Sequence, residues 1–148
     1  MIRPIDSADA ATVSEVLRQA LVDGGHTTPA RLVEGSTDPL FVGLVQEETT
    51  GIVGAIIGSV VADEAEIHEI AVARTHRRGG HGRALVQAFL MEAGRRGAKL
   101  CFLEVRSANH AAVGLYSSLG FEACGERKGY YRDGTNAVLM RYCLGSEA

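Results

Sequence analysis

The chain has 148 residues, 46% of them hydrophobic and 22% charged, the balance of one soluble globular domain long enough to bury a substantial core. A formal net charge of −3 argues against a dedicated nucleic-acid binder, although a local basic patch survives such an average. No apolar run approaches the roughly 20 residues that cross a bilayer and no signal-peptide pattern opens the chain, so no membrane partner and a cytoplasmic location are expected.

Ile2 to Ile5 suit a short first strand. Asp6 or Ser7 can then cap a helix with apolar positions at Val13, Val16, Leu17, Ala20 and Leu21, a helical spacing that Gly24-Gly25 ends. Thr28-Pro29 predicts a short second helix over 29–34, stopped by Gly35. Leu40 to Val45 and Ile52 to Val61 read as an antiparallel hairpin around a turn at Glu47 to Gly51.

The run Ala65 to Val72 breaks its own alternation: Ile67 and Glu69 share one face, Ile70 and Val72 the other. One extra residue near Glu69-Ile70, a β-bulge, would return both apolar sets to the core and free backbone N–H groups for a ligand. A strand buried on both faces is the alternative.

A glycine-rich basic loop follows, Arg77-Arg78-Gly79-Gly80-His81-Gly82-Arg83. Without Cβ atoms at 80 and 82, backbone N–H groups can close on an anion at the start of the next helix, while the arginines add positive charge. A Rossmann turn would need a small residue where Leu85 stands, and a P-loop would need Lys-Ser/Thr after the glycines. Leu85, Ala88, Phe89 and Glu92 trace a helix ending near Arg95-Arg96-Gly97. With Leu100 to Val105 as the next strand, strand, helix and strand predict a parallel crossover. Asn109 caps a further helix through Ser118, with Gly120 to end it, and Glu122 to Arg127 with Ala137 to Leu144 form a last strand pair around the Tyr130 to Thr135 loop. Cys101, Cys124 and Cys143 are odd in number and form no C-x-x-C pair. They are expected to be reduced, mostly buried thiols, with no metal site.

The glycine loop resembles the R/Q-x-x-G-x-G/A signature of the GNAT superfamily of N-acetyltransferases. Downstream, Leu103-Glu104-Val105-Arg106-Ser107-Ala108-Asn109 and Gly114-Leu115-Tyr116-Ser117-Ser118-Leu119-Gly120-Phe121 are similar to the L-E-V-R-x-x-N and A-x-x-L-Y-x-x-L-G-F pair of the same superfamily, in the same order. The resemblance covers about residues 65 to 142 and is nearest to the bacterial RimI-type ribosomal-protein alanine N-acetyltransferases. It implies a single α/β domain over 1–148: a mixed, mostly antiparallel sheet with one parallel strand pair at the cofactor site, flanked by about four helices.

The resemblance further implies acetyl-CoA as cosubstrate, with Ile70, Ala71 and Val72 offering backbone to the pantetheine arm. Arg77, Arg78, Gly79, Gly80, His81, Gly82 and Arg83 would hold the pyrophosphate, and Asn109 would touch the cofactor. Glu104 corresponds to the general base and Tyr116 to the general acid, with Glu66 as a competing base and Tyr130-Tyr131 as acceptor-loop residues. The implied partner is a primary amine, first a protein or peptide N-terminus, with a small amine such as a polyamine, amino acid or antibiotic as the alternative and a non-catalytic acetyl-CoA-binding module behind both. A monomer or homodimer is expected. The tryptophan segment that RimI-type enzymes often carry after the first helix is replaced by Asp23 to Pro29, and Asn136 stands where they have an acid.

Overall fold

The computed structural model describes residues 1–20, 32, 35, 38–77 and 79–144, leaving aside the side chains of Gln19 and Ala20. In chain order these form β1 (Ile2–Pro4), α1 (Ala10–Ala20), β2 (Phe41–Glu48), β3 (Gly51–Val61), β4 (Glu64–Val72), α2 (His81–Arg95), β5 (Leu100–Arg106), α3 (His110–Leu119), β6 (Glu122–Arg127) and β7 (Ala137–Cys143). The predicted 29–34 helix, the Gly24-Gly25 stop and Arg78 lie outside the described residues.

The seven strands make one sheet in the order β1-β2-β3-β4-β5-β7-β6. Only β4 and β5 pair in parallel, as a strand–helix–strand crossover requires. α2 and α3 cover one face, where Leu85, Val86, Phe89 and Tyr116 bury against Ile56, Ile67, Leu103 and Met140. α1 covers part of the other, bringing Val13, Val16 and Leu17 onto Val45, Ala55, Ile57 and Ala71. The spacing of α1's apolar residues thus becomes its buried stripe. Asp6 closes its entry through a capping box with Asp9, and Arg3 ties Asp9 to Glu47 at the end of β2.

The slipped alternation in β4 is a bulge. Ile57 pairs with Glu69 but Gly58 pairs with Ile67, so His68 is the extra residue, one position before the predicted site at Glu69-Ile70. The prediction places the insertion only to within the change of phase; the pairing with β3 fixes it. Ala65 and Ile67 before the bulge, and Ile70 and Val72 after it, all pack on the α2 side.

Opposite the bulge, a Cβ on Gly58 would sit 2.0 Å from the Glu66 carbonyl oxygen and 2.7 Å from the Phe89 ring. Backbone and a core ring therefore both demand a glycine. Gly58→Ala should cost about 3 kcal/mol of stability by overpacking, read as a lower urea midpoint at unchanged slope.

The β4–β5 ladder is short, and this shapes the molecule. It runs through Glu64–Leu100, Ala65–Cys101 and Glu66–Phe102 and stops. Beyond that rung β4 pairs only with β3, and β5 only with β7. The two strands part at the centre of the sheet, and the bulge sits where they do.

Cys101 is buried, and burial pushes its thiol up to about 12. Cys124 and Cys143 are exposed, against expectation. Cys124 lies on the edge strand β6, whose six residues are all exposed, and Cys143 ends β7.

Candidate active site

β4 and β5 part beyond the Glu66–Phe102 rung, and Ile70 to Val72 and Glu104 lie on these two strands past that point. α2 begins on Gly80, whose φ of +81° is left-handed. The first turn holds no acid and no side chain caps it, so nothing on the helix itself offsets its leading N–H groups or the positive end of its dipole.

A Cβ added to Gly80 would meet nothing within 4 Å, and one on Gly82 only a Leu115 methyl at 3.7 Å. The fold itself does not need the glycine at 82. The bare backbone and the open helix end fit a phosphate-bearing group approaching from outside. Around them, Arg77 Nε donates to the Val72 carbonyl at 3.1 Å, and Arg83 donates to Ser118 Oγ at 2.6 Å, linking α2 to α3. His81 opens the helix with its ring 6.3 Å from that of His76. Asn109 caps α3 by accepting from the Ala112 N–H at 3.1 Å.

Glu104 and Tyr116 lie on opposite sides of the sheet. Cys101, Leu103 and Val105 of β5 are buried on the α2 side, in the core that also holds Tyr116. Strand alternation turns Phe102, Glu104 and Arg106 to the other face. Tyr116 is 6% exposed and edge-on to Phe121, and burial pushes its hydroxyl up to about 12.

Glu104 sits two residues beyond the last β4–β5 rung, with its side chain 22% exposed. Arg127 of β6 brings its guanidinium against Glu104 Oε2. Among the described residues this buried oxygen has that counter-charge and no hydrogen-bond partner. Glu66, the competing base, shares that face but lies on the last rung itself, at 56% exposure, with its carboxylate 4.0 Å from His68 Nδ1. His68 in turn meets Ser59 Oγ at 3.2 Å.

Tyr130 and Tyr131 stand edge to face, 5.1 Å between centroids, on the β6–β7 loop. Burial, and next the Glu104 carboxylate, raises the Tyr131 hydroxyl above its ordinary value. Sequence reasoning missed what holds this loop. Arg106 stacks 4.2 Å from the Tyr131 ring centre and donates to Asp133 and Thr135; its partners are some thirty positions away, beyond any local pattern. A separate cavity of about 630 Å³ between α1 and the Ala73–Thr75 segment carries none of the predicted site residues.

Comparison with known proteins decides the kinship. The family model described as "Acetyltransferase (GNAT) family" matches residues 11–121. The chain belongs to the GNAT acetyltransferase family. Among GNAT relatives, the N-alpha-acetyltransferase RimI of Mycobacterium tuberculosis is 34% identical over 145 residues, covering 95% of this chain and 90% of that one. The [ribosomal protein bS18]-alanine N-acetyltransferase of Escherichia coli K12 is 45% identical over 87 residues, 57% of this chain. That match spans 59% of the relative's own length. The crystal structure of the ribosomal-protein-S18-alanine N-acetyltransferase from Escherichia coli superposes with a TM-score of 0.87 at 27% identity, covering 100% of this chain and 97% of that one. This GNAT chain therefore has the fold expected from its motifs.

Proposed function

We propose that this protein is an acetyl-CoA-dependent N-acetyltransferase acting on the α-amine of a protein or peptide N-terminus. The observation that carries the reading is the parted sheet with Glu104 on one side and Tyr116 on the other. On this reading Glu104 would serve as proton acceptor and Tyr116 as proton donor from the two faces of the sheet, with an amine and a thioester approaching from opposite sides. The names of the relatives supply the acceptor class.

Acetyl-CoA brings an acetyl thioester to the site. The Gly80–Arg83 backbone, with Arg77 and Arg78, would hold its pyrophosphate, the Asn109 side chain would lie beside it, and the Ile70–Val72 edge would pair with the amide-bearing arm. Glu104 takes the proton of the incoming ammonium, directly or through water. An α-amine titrates near 7.7–8.0 against about 10.4 for lysine, so it yields that proton more readily at neutral pH. An N–H on the unpaired edge of β4 can face the charge that develops on the thioester oxygen. Tyr116, a phenol protonated at neutral pH in any case and pushed up to about 12 by burial, gives a proton to the departing sulfur.

Tyr116→Phe keeps the ring against Phe121 and removes only the donor. Its kcat should fall about 100-fold, within the usual range for a general acid, with acetyl-CoA affinity unchanged by calorimetry. The function itself is tested by thiol release from acetyl-CoA against peptides with free and acetyl-blocked N-termini, polyamines, amino acids and aminoglycosides. Turnover confined to free N-termini is expected. Equal rates on blocked, lysine-bearing peptides, or faster turnover of a small amine, would remove the N-terminal acceptor and keep the transferase.

A further inference from the structure

Loop 128–136 carries Tyr130 and Tyr131 but has no apolar core of its own. Tyr130 is 51% exposed, and Lys128, Gly129, Arg132, Asp133 and Gly134 are exposed as well. Its internal bonds, from the Tyr131 N–H to the Thr135 carbonyl at 3.2 Å and from the Gly134 N–H to the Tyr131 carbonyl at 2.9 Å, shape a turn without fixing where that turn lies over the sheet.

From β6, Arg127 lies 5.6 Å over the Tyr130 ring and Glu126 accepts from Asn136 Nδ2 at 3.0 Å, at the two ends of the loop; the sheet side chain that reaches its middle is Arg106. Arg106, 18% exposed at the side chain, reaches from the end of β5. Its Nη1 donates to Asp133 Oδ1 and Oδ2 at 2.9 and 2.8 Å and to Thr135 Oγ1, and its Cζ lies 4.2 Å from the centre of the Tyr131 ring. Thr135 closes the cluster by donating its hydroxyl to Asp133 at 2.6 Å. Arg106 and Glu104 are alternate residues on one face of one strand, about 7 Å apart at 3.4 Å per residue.

We infer that Arg106 is the positioning residue of the acceptor site, holding the Tyr130-Tyr131 loop through Asp133 and Thr135 at a distance from Glu104 set by β5 itself. This rests on the acetyltransferase reading above. The loop is then a fixed wall against which an acceptor's second and third residues lie, while the amine beside Glu104 and the acetyl-CoA site are untouched by it. A guanidinium can stack and donate at once, whereas an ammonium on a flexible stem cannot reproduce both contacts.

The test compares Arg106→Lys and Asp133→Asn with wild type on a tetrapeptide and on the amide of its first residue, which is too short to reach the tyrosines. The KM for the tetrapeptide should rise about tenfold in each variant, the signature of lost binding shared by ground and transition states. The KM for the short amide, the KM for acetyl-CoA and kcat should stay within about twofold of wild type, and the double variant should be no worse than either single one. Equal losses on both acceptors, a loss in kcat alone, or no change would overturn the inference. Asp133 is 58% exposed, so its variant carries the test should Arg106→Lys fold poorly. Hydrogen exchange supplies a readout without turnover: Tyr131 and Gly134 amides should exchange about tenfold faster in both variants. If wild type acetylates no peptide, the acceptor reading falls, and unaltered exchange in the variants would independently overturn the clamp.

Discussion

Glu104→Gln should lower kcat/KM for an N-terminal peptide at pH 7 by about 100-fold or more, the scale of a lost general base. The substitution keeps shape and volume, so thermal melting should move little. The deficit should shrink as pH rises. An α-amine with pKa near 7.7–8.0 is mostly ammonium at pH 7 and mostly free amine at pH 9, so at the higher pH the acceptor arrives already deprotonated and the missing base matters less. Thiol-release rates from pH 6.5 to 9.5 would measure this. A constant ratio of wild type to variant across that range would move the base elsewhere, and Glu66 would be the next carboxylate to substitute.

Gly82→Val should weaken acetyl-CoA binding by about 100-fold. The estimate takes two charge-assisted hydrogen bonds from backbone to phosphate, about 1.5 kcal/mol each at the low end of their range, or roughly two decades in affinity. The folded chain itself tolerates a Cβ there, since the nearest atom is a Leu115 methyl at 3.7 Å, and valine favours a helix at least as well as glycine, to within about 1 kcal/mol. Calorimetry beside a urea titration separates the two effects. Unchanged affinity in a stable variant would remove the glycine loop from the cofactor site.

What the sequence disclosed depended on the range of each signal. The glycine loop, the Asp6 cap and the phase slip in β4 are local patterns, and each reappears in the fold within a residue or so. The end of the β4–β5 ladder at Glu66–Phe102 left no trace in composition, because the strands on either side pair with other partners and read as ordinary strands. The need for glycine at position 58 was equally silent, since it comes from a strand and a helix that approach it from elsewhere in the chain. Arg106 stood in a quoted motif without a task of its own, and its pairing with Asp133, 27 residues on, belongs to tertiary structure. Exposure of Cys124 followed from β6 being an edge strand, a fact of strand order that β-propensity cannot supply.

The parted sheet also bears on how the domain resists opening. β1 to β4 and β5 to β7 are joined along their backbones by three ladder pairs and, just before them, by bonds from the Lys99 and Leu100 N–H groups to the Asp63 carbonyl, so much of the seam between the two halves is bridged by the side chains of Phe89 and its neighbours in the core. Such a seam is the natural place for sub-global fluctuation, because few backbone bonds need break for the halves to swing apart. A molecule seated between the strands would act as a spline, coupling two bodies that the polypeptide leaves loosely keyed. Occupancy and mechanical stiffness would then be two descriptions of one equilibrium.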